Sequence, residues 1–406
     1  MSPVNALPAT IRGAVSRWRV LGTACLAHLL HDGYADMLYL LFPFWQRELT
    51  LSLAEVGALR ALYSGAMAIC QVPAGRLGER WGERLPLVGG TLLTACAVIA
   101  FHWATTPLLL AFFLVLGGIG ASVQHPLAST VVSKTYNRAA RRTILGTYNF
   151  AGDLGKVAIT GLLAVLIARF GWHAGTVAVG ALGLAVAFVL LVALAPGRDR
   201  PPGKATDDND ADRLHLDEAV RRRGFVALSA IGILDSATRT GLLTFLPFVL
   251  SGKGADAGEL GTALSLVFAG GAAGKFACGM LATRVGILRT VILTETATAI
   301  AIVLVLALPI TFCLALMPLL GVVLNGTSSV LYGTVPELAP RGREARAFGF
   351  FYTVTIGAGA IAPAIYGMLG DALGLTASML LVAVVVLFVL PLVALLRRVF
   401  RTHEGF

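Results

Sequence analysis

Five polar side chains follow one another in the first long apolar segment of the chain, at His28, His31, Asp32, Asp36 and Tyr39. At about 100° per residue of an α-helix, they fall on one arc of about 140°. Carboxylates and imidazoles can bind and release protons or contact a polar solute. We therefore predict that the two aspartates carry protons and that the histidines and the tyrosine contact a substrate. A helix-packing network is the alternative.

A second polar group consists of Asn149, Asp153 and Lys156, spaced i, i+4 and i+7 in another apolar segment. This spacing places all three on one face of a helix. Asp153 is predicted to take part in proton coupling, and Asn149 and Lys156 to bind substrate. The alternative is a structural ion pair between Asp153 and Lys156 within the helix.

A third pair, Asp235 and Arg239, lies one helical turn apart in the second half of the chain. Both residues are predicted to contact substrate. An ion pair between Arg239 and Asp36 would neutralise two buried charges, either as a gate or as a static brace. Arg239 could instead bind an anionic substrate.

His125 and Gln124 stand directly before Pro126, where the proline can kink a helix. His125 is predicted to exchange protons near neutral pH, and Gln124 to contact substrate. A histidine that only packs between helices is the alternative for His125.

Three further charged residues lie within apolar segments. Arg60 and Lys275 are predicted substrate contacts, although both stand towards helix ends, where long side chains can reach the membrane surface. Glu295 is expected to be a peripheral or packing group.

The composition indicates that most of the chain is surrounded by lipid. Of the 406 residues 57% are hydrophobic and 13% are charged, whereas about 25% charged residues are usual in soluble proteins. Apolar runs of about 20 residues recur, and lipid tolerates them only as closed helices. The sequence predicts an all-α membrane protein with twelve spans. They are 20–44, 54–76, 85–102, 107–132, 143–168, 174–196, 224–250, 258–282, 287–309, 311–336, 345–369 and 374–396.

The basic residues predict the orientation of these spans. With the N-terminus inside, 25 of the 32 Lys and Arg residues fall on the cytoplasmic side, four lie within the spans, and only Arg47, Arg169 and Lys253 fall outside. This asymmetry is the positive-inside pattern, and it places both termini in the cytoplasm. It also accounts for the net charge of +10 without a nucleic-acid partner.

The second half of the sequence repeats the first at an offset of 203 or 204 residues. Asp32 corresponds to Asp235, and the glycine pattern of 75–82 corresponds to that of 279–286. Further matches are Phe42-Pro43-Phe44 with Leu246-Pro247-Phe248, Gly117 with Gly321, and Gly146 with Gly349. We predict two six-helix bundles, 1–196 and 224–406, joined by a polar cytoplasmic linker at 197–223.

The stretch GRLGERWGER at 75–84 resembles the loop signature of major facilitator superfamily transporters. Segments 27–57, 118–129 and 336–340 resemble the fosmidomycin-resistance family of drug exporters. The resemblance implies the twelve-helix major facilitator fold, with two pseudo-symmetric halves. It also implies that the loop motif acts as a conformational latch. The latch residues are Gly75, Gly78, Glu79, Arg80, Gly82 and Arg84.

The sequence carries no enzyme signature and no P-loop, so neither catalysis nor ATP-driven transport is predicted. We expect a secondary active transporter in a bacterial-type cytoplasmic (inner) membrane, with proton-coupled efflux of a small polar or anionic compound by alternating access. An importer of an organic anion or metal chelate is the alternative, and a transporter-like sensor is a remote one. A metal at His28, His31 and Asp32 is not predicted, no cofactor is expected, and a monomer suffices.

Overall fold

The computed structural model describes residues 9–136, 138–194, 218–339 and 344–401. These parts are helical throughout, apart from short turns and one 3₁₀ segment at Phe101–Trp103. The helices are α1 (Ala9–Leu49), α2 (Leu53–Trp81), α3 (Arg84–Ala100), α4 (Pro107–Ala121), α5 (Gln124–Thr135), α6 (Arg138–Ala193), α7 (Glu218–Gly252), α8 (Ala257–Val285), α9 (Ile287–Ala307), α10 (Ile310–Leu338), α11 (Glu344–Leu373), α12 (Leu375–Leu387) and α13 (Val389–Arg401).

Ten helical stretches of the described chain are long and apolar enough to cross a membrane. One of them, Ile144–Ala193, contains a break at Gly171, where φ is 80° and ψ is 164°, so that α6 consists of two helices. The 41-residue α1 is not among the ten. Its stripe of histidines and aspartates lowers its mean hydropathy, although its length would suffice to span a bilayer.

The predicted repeat is visible in the backbone as well as in the sequence. Every residue with a left-handed φ in the described chain has a counterpart 203 or 204 positions away. The pairs are Thr50 with Gly254, Gly82 with Gly286, and Gly171 with Gly374. Such positions end one helix and redirect the chain, and they favour glycine because a Cβ atom is strained there. The turns of the two halves therefore follow one pattern.

Two helix N-termini obey the same offset. At the start of α2, the Ser52 N–H donates to Glu55 Oε2 at 2.8 Å and the Glu55 N–H donates to Ser52 Oγ at 3.1 Å. At the start of α8, Asp256 and Glu259 form the same reciprocal capping box. Each box satisfies backbone donors that have no partner within the helix.

The chain divides into two compact units. The first comprises residues 1–38 and 62–204, and the second comprises 39–61 and 205–406. The core of the second unit is built from large apolar side chains of α7, α10 and α11, among them Leu228, Val335 and Phe351. Most of the predicted linker at 197–223 lies outside the described residues.

Candidate functional site

Within the first unit, glycines allow α1 and α6 to pack backbone against backbone. A Cβ atom on Gly155 would overlap the carbonyl oxygen of Leu29, and one on Gly33 would lie 2.8 Å from the carbonyl oxygen of Gly155. Small residues permit such close approach of membrane helices. A Cβ atom on Gly152 would lie 2.7 Å from Asp32 Oδ2. The polar face of α1 therefore meets the polar face of α6 directly.

Lys156 of α6 lies among three carboxylates at this contact. Its Nζ is 3.4 Å from Asp36 Oδ2, 3.7 Å from Asp32 Oδ2 and 3.7 Å from Asp153 Oδ1. All four side chains are mostly shielded from solvent. One ammonium group faces three potential negative charges, so the cluster keeps an excess of negative charge unless it also binds protons or another cation. We call these four residues the Lys156 cluster.

His28 extends the cluster in a fixed orientation. Its Nδ1 lies 2.8 Å from the carbonyl oxygen of Tyr148, and its ring stacks on the Tyr148 ring with centroids 4.1 Å apart. Because a carbonyl oxygen only accepts, Nδ1 carries a hydrogen. This leaves Nε2 near Asp32 Oδ1, at 3.3 Å.

His125 approaches the same carboxylate from α5, with Nε2 4.0 Å from Asp32 Oδ1. Its ring stands edge-on to His28 at 5.3 Å and to His31 at 5.0 Å between centroids. His31 and Gln124 are buried and line a small cavity of about 10 Å³, about the room that one water needs. Residues from α1, α5 and α6 that were predicted separately thus form one polar site.

Three of these residues have ligand atoms close enough together to hold a metal ion. His28, Asp32 and His125 each place one ligand atom within 4.8 Å of the others. The ammonium of Lys156, however, lies 3.7 Å from the same Asp32 carboxylate and would repel a cation. The proton roles predicted for Asp32 and His125 and the predicted absence of a metal all stay predictions.

In the second unit, Asp235 and Arg239 form an ion pair within α7. Arg239 Nη2 lies 3.8 Å from Asp235 Oδ2, and the carboxylate is buried. The predicted ion pair of Asp36 with Arg239 would connect a residue of the first unit with one of the second, and it stays a prediction. Each of its members has an ionic partner inside its own unit.

The remaining predicted substrate contacts are Tyr39, Arg60, Lys275 and Asn149. Arg60 is buried and donates from Nη2 to the Tyr39 hydroxyl at 2.9 Å, with its Cζ 4.6 Å from the centre of the Tyr39 ring. Lys275 is half-buried on α8, and its carbonyl oxygen accepts from Ser329 at 3.3 Å. Asn149 is exposed on α6. Their substrate roles stay predictions.

Of the two expectations for Glu295, the structure excludes the peripheral position and fits a packing group. Its side chain is 2% exposed, and its carboxyl group is close enough to that of Asp235 to share a hydrogen bond. Oε1 of Glu295 has no hydrogen-bond partner within the described part of the chain. A signal for this burial was present in the sequence, because Thr290, Thr294 and Thr298 form a polar stripe beside Glu295 on α9.

The predicted latch makes its contacts in the loop between α2 and α3. Glu83 accepts from Lys134 Nζ at 2.6 Å, and Arg84 Nη2 donates to the carbonyl oxygen of Leu191. A Cβ atom on Gly78 would strike Leu127. Gly82 has a φ of 77° and Gly75 is half-buried, while Glu79 and Arg80 are exposed. The loop is thus tied to α5 and α6, and its latch role stays a prediction.

The chain is similar to known transporters in sequence and in fold. Over 382 residues it is 24% identical to the fosmidomycin resistance protein of Escherichia coli strain K12, covering 91% of this chain and 90% of that one. It is 31% identical to the probable L-galactonate transporter of the same strain over 148 residues, which cover 35% of this chain and only 31% of that relative.

A bacterial homologue of the human lysosomal transporter Spinster, in an inward-facing and unoccupied conformation, has the same fold. The TM-score is 0.78 with 17% identity, covering 96% of this chain and 98% of that one. The sequence profile of the Major Facilitator Superfamily matches residues 24–248 and 228–404. The polar site described above therefore lies in a multi-pass integral membrane protein, and the chain belongs to the Major Facilitator Superfamily of transporters.

Proposed function

We propose that this protein is a proton-coupled secondary transporter that exports a small polar or anionic compound by alternating access. Its chain would cross a bacterial-type inner membrane twelve times, with both termini in the cytoplasm, and would work as a monomer. The observation that carries the proposal is the Lys156 cluster, in which one ammonium group is shared among three largely buried carboxylates. Ionisable groups placed this way in a membrane are usually functional.

Proton binding and substrate binding are coupled in this arrangement through Lys156. While Asp32, Asp36 and Asp153 are ionised, they hold the ammonium group. For export by exchange, protons that bind to the carboxylates displace a polar substrate whose donor groups were held by the ionised carboxylates. For transport of anion and proton together, the same protonation releases Lys156 to pair with an anionic group of the substrate. His125 and His28 face Asp32 and can pass a proton to it.

Export is supported by the fosmidomycin resistance protein, which this chain matches over most of its length. The geometry of Lys156 also favours a second candidate, uptake of an organic anion together with protons, because protonation and anion binding assist each other there. In that case the proton and the anion move in the same direction. The two candidates therefore differ in the sign of the coupled proton flux.

The test uses purified protein in liposomes that contain a trapped pH dye. An outward gradient of fosmidomycin, and separately of L-galactonate, is imposed, and the internal pH is followed. We expect acidification for export by exchange and alkalinisation for transport of anion and proton together. Asp32→Asn should reduce the coupled proton flux at least about tenfold, since one tenfold step corresponds to about 1.4 kcal/mol.

Glu218→Gln serves as the matched control, because this carboxylate is exposed at the start of α7 and outside the Lys156 cluster. It should leave the proton flux unchanged. Wild-type flux in the Asp32→Asn protein would contradict the role of Asp32. Net movement of either solute would also exclude a protein that only senses it.

A further inference from the structure

The second unit contains two buried carboxyl groups and one nearby guanidinium group. Glu295 on α9 is 2% exposed, Asp235 on α7 is 5% exposed, and both lie inside the packed unit. Arg239 Nη2 is 3.8 Å from Asp235 Oδ2. Arg239 can balance one negative charge, so two ionised carboxylates would leave one uncompensated charge in an apolar interior, which costs several kcal/mol.

The contact between the two carboxyl groups supplies the next step. Glu295 and Asp235 are close enough to share a hydrogen bond. Ionised carboxylates only accept hydrogen bonds, so a bond between two carboxyl groups requires a proton on one of them. Two carboxyl groups in contact commonly share one proton for this reason.

The surroundings indicate which carboxyl group carries that proton. Asp235 has the ion pair with Arg239, whereas Glu295 has the neutral hydroxyl group of Thr327 beside it, and that hydroxyl also donates to Thr294 at 2.7 Å. Oε1 of Glu295 lacks a hydrogen-bond partner among the described residues. An orphaned oxygen costs far less on a neutral carboxyl group than on a charged one. The charged groups that face Glu295 are Asp235 and Arg239.

We propose that Glu295 and Asp235 form a second proton-binding site, in which Glu295 holds one proton and donates it to Asp235. This site lies in the second unit, whereas the Lys156 cluster lies in the first. When the proton leaves, the two carboxylates compete for Arg239 and one of the contacts must break. Its part in transport rests on the proposed function, but the bound proton itself does not.

The experiment is infrared spectroscopy of the full-length protein in detergent at pH 7, in H₂O and D₂O. Exposed carboxyl groups are ionised at this pH, so a carboxylic-acid C=O band that shifts in D₂O reports a buried protonated group. We expect Glu295→Gln to remove one carboxylic-acid equivalent from this band. Asp235 then keeps Arg239 as its partner and stays ionised.

Two further variants make the assignment specific. Asp235→Asn should retain the carboxylic-acid equivalent with a shifted band, because Glu295 remains protonated but donates to a neutral amide oxygen instead of a carboxylate. Glu218→Gln, at an exposed position, should leave the band unchanged. An unchanged band in a Glu295→Gln protein that elutes as a single species with wild-type helicity would overturn the proposal. The measurement needs no substrate, so its failure is distinguishable from a failure of the proposed transport.

Discussion

Lys156 places its ammonium nitrogen 3.4 Å from Oδ2 of Asp36, across the contact of α6 with α1. The same nitrogen also lies 3.7 Å from a carboxylate oxygen of Asp32 and 3.7 Å from one of Asp153. Lys156→Met keeps the length and apolar stem of the side chain but leaves three carboxylates without their ammonium partner. We expect the free energy of unfolding in detergent at pH 8 to fall by about 3 kcal/mol, the usual cost of removing one partner of a buried ion pair.

Acid should reverse part of this loss, because protonated carboxyl groups no longer repel one another. We therefore expect the melting temperature of Lys156→Met to approach that of the wild type as the pH is lowered from 8 to 5. Lys134→Met is the control, since Lys134 forms an exposed pair with Glu83, and such pairs contribute less than about 1 kcal/mol. Equal effects of the two substitutions would contradict the central position of Lys156.

The hydrogen bond from His28 to Tyr148 makes a prediction about one tautomer. Because Nδ1 donates to a backbone carbonyl, we expect His28 to carry a hydrogen on Nδ1 at every pH at which the protein is folded. Nitrogen NMR of protein labelled in its seven histidines would show this state. The signal should disappear in His28→Gln and persist in His125→Gln. A His28 signal with hydrogen on Nε2 alone would contradict the geometry.

Gly152 is predicted to be required for the packing of the Lys156 cluster. A methyl group there would lie 2.7 Å from Asp32 Oδ2 and 2.8 Å from His28 Nε2, so Gly152→Ala should destabilise the protein by about 1–3 kcal/mol through overpacking. Gly146→Ala on the same helix is the matched control, because a methyl group there meets nothing within 4 Å. It should be neutral or raise the melting temperature, since alanine favours a helix over glycine by up to about 1 kcal/mol.

Sequence periodicity predicted which residues share a helix face. It did not predict which residues of other helices they contact. Tyr39 belongs to the same stripe as His28, and its hydroxyl accepts a hydrogen bond from Arg60 of α2, a partner that the stripe alone did not indicate. The aspartates, histidines and lysine that meet were predicted as members of separate groups, and their meeting depends on the glycines of α6.

The repeat predicted turns more reliably than it predicted contacts between helices. The offset of 204 that relates Gly82 to Gly286 also holds for their left-handed backbone. Gly321, however, touches the carbonyl oxygen of Val267 as Gly118 touches that of Tyr63, so its contact counterpart is Gly118 rather than the predicted Gly117. The sequence did not separate the peripheral from the packed position of Glu295, because helices that pack on α9, such as α12, are distant in sequence.

Asp371 breaks the symmetry of the repeat, and this leads to the last prediction. Within the second unit, its Oδ1 accepts from the Leu53 N–H at 2.8 Å and its Oδ2 accepts from the Ala54 N–H at 2.9 Å. These donors belong to the first turn of α2 and have no acceptor within their own helix. The carboxylate of α11 therefore caps α2 from outside, and its charge also favours the positive end of the helix.

Removal of this cap should be visible at the two amides. We expect Asp371→Ala to speed hydrogen exchange at Leu53 and Ala54 about five- to thirtyfold, equivalent to the roughly 1–2 kcal/mol that a lost cap costs. Asp371→Asn should give a smaller effect, because an amide keeps one acceptor oxygen but loses the charge. Ala257 and Gly258, the equivalent positions at the start of α8, serve as internal controls and should exchange as in the wild type. Unchanged exchange at Leu53 and Ala54 in the alanine variant would show that the Asp371 carboxylate does not hold α2 to α11.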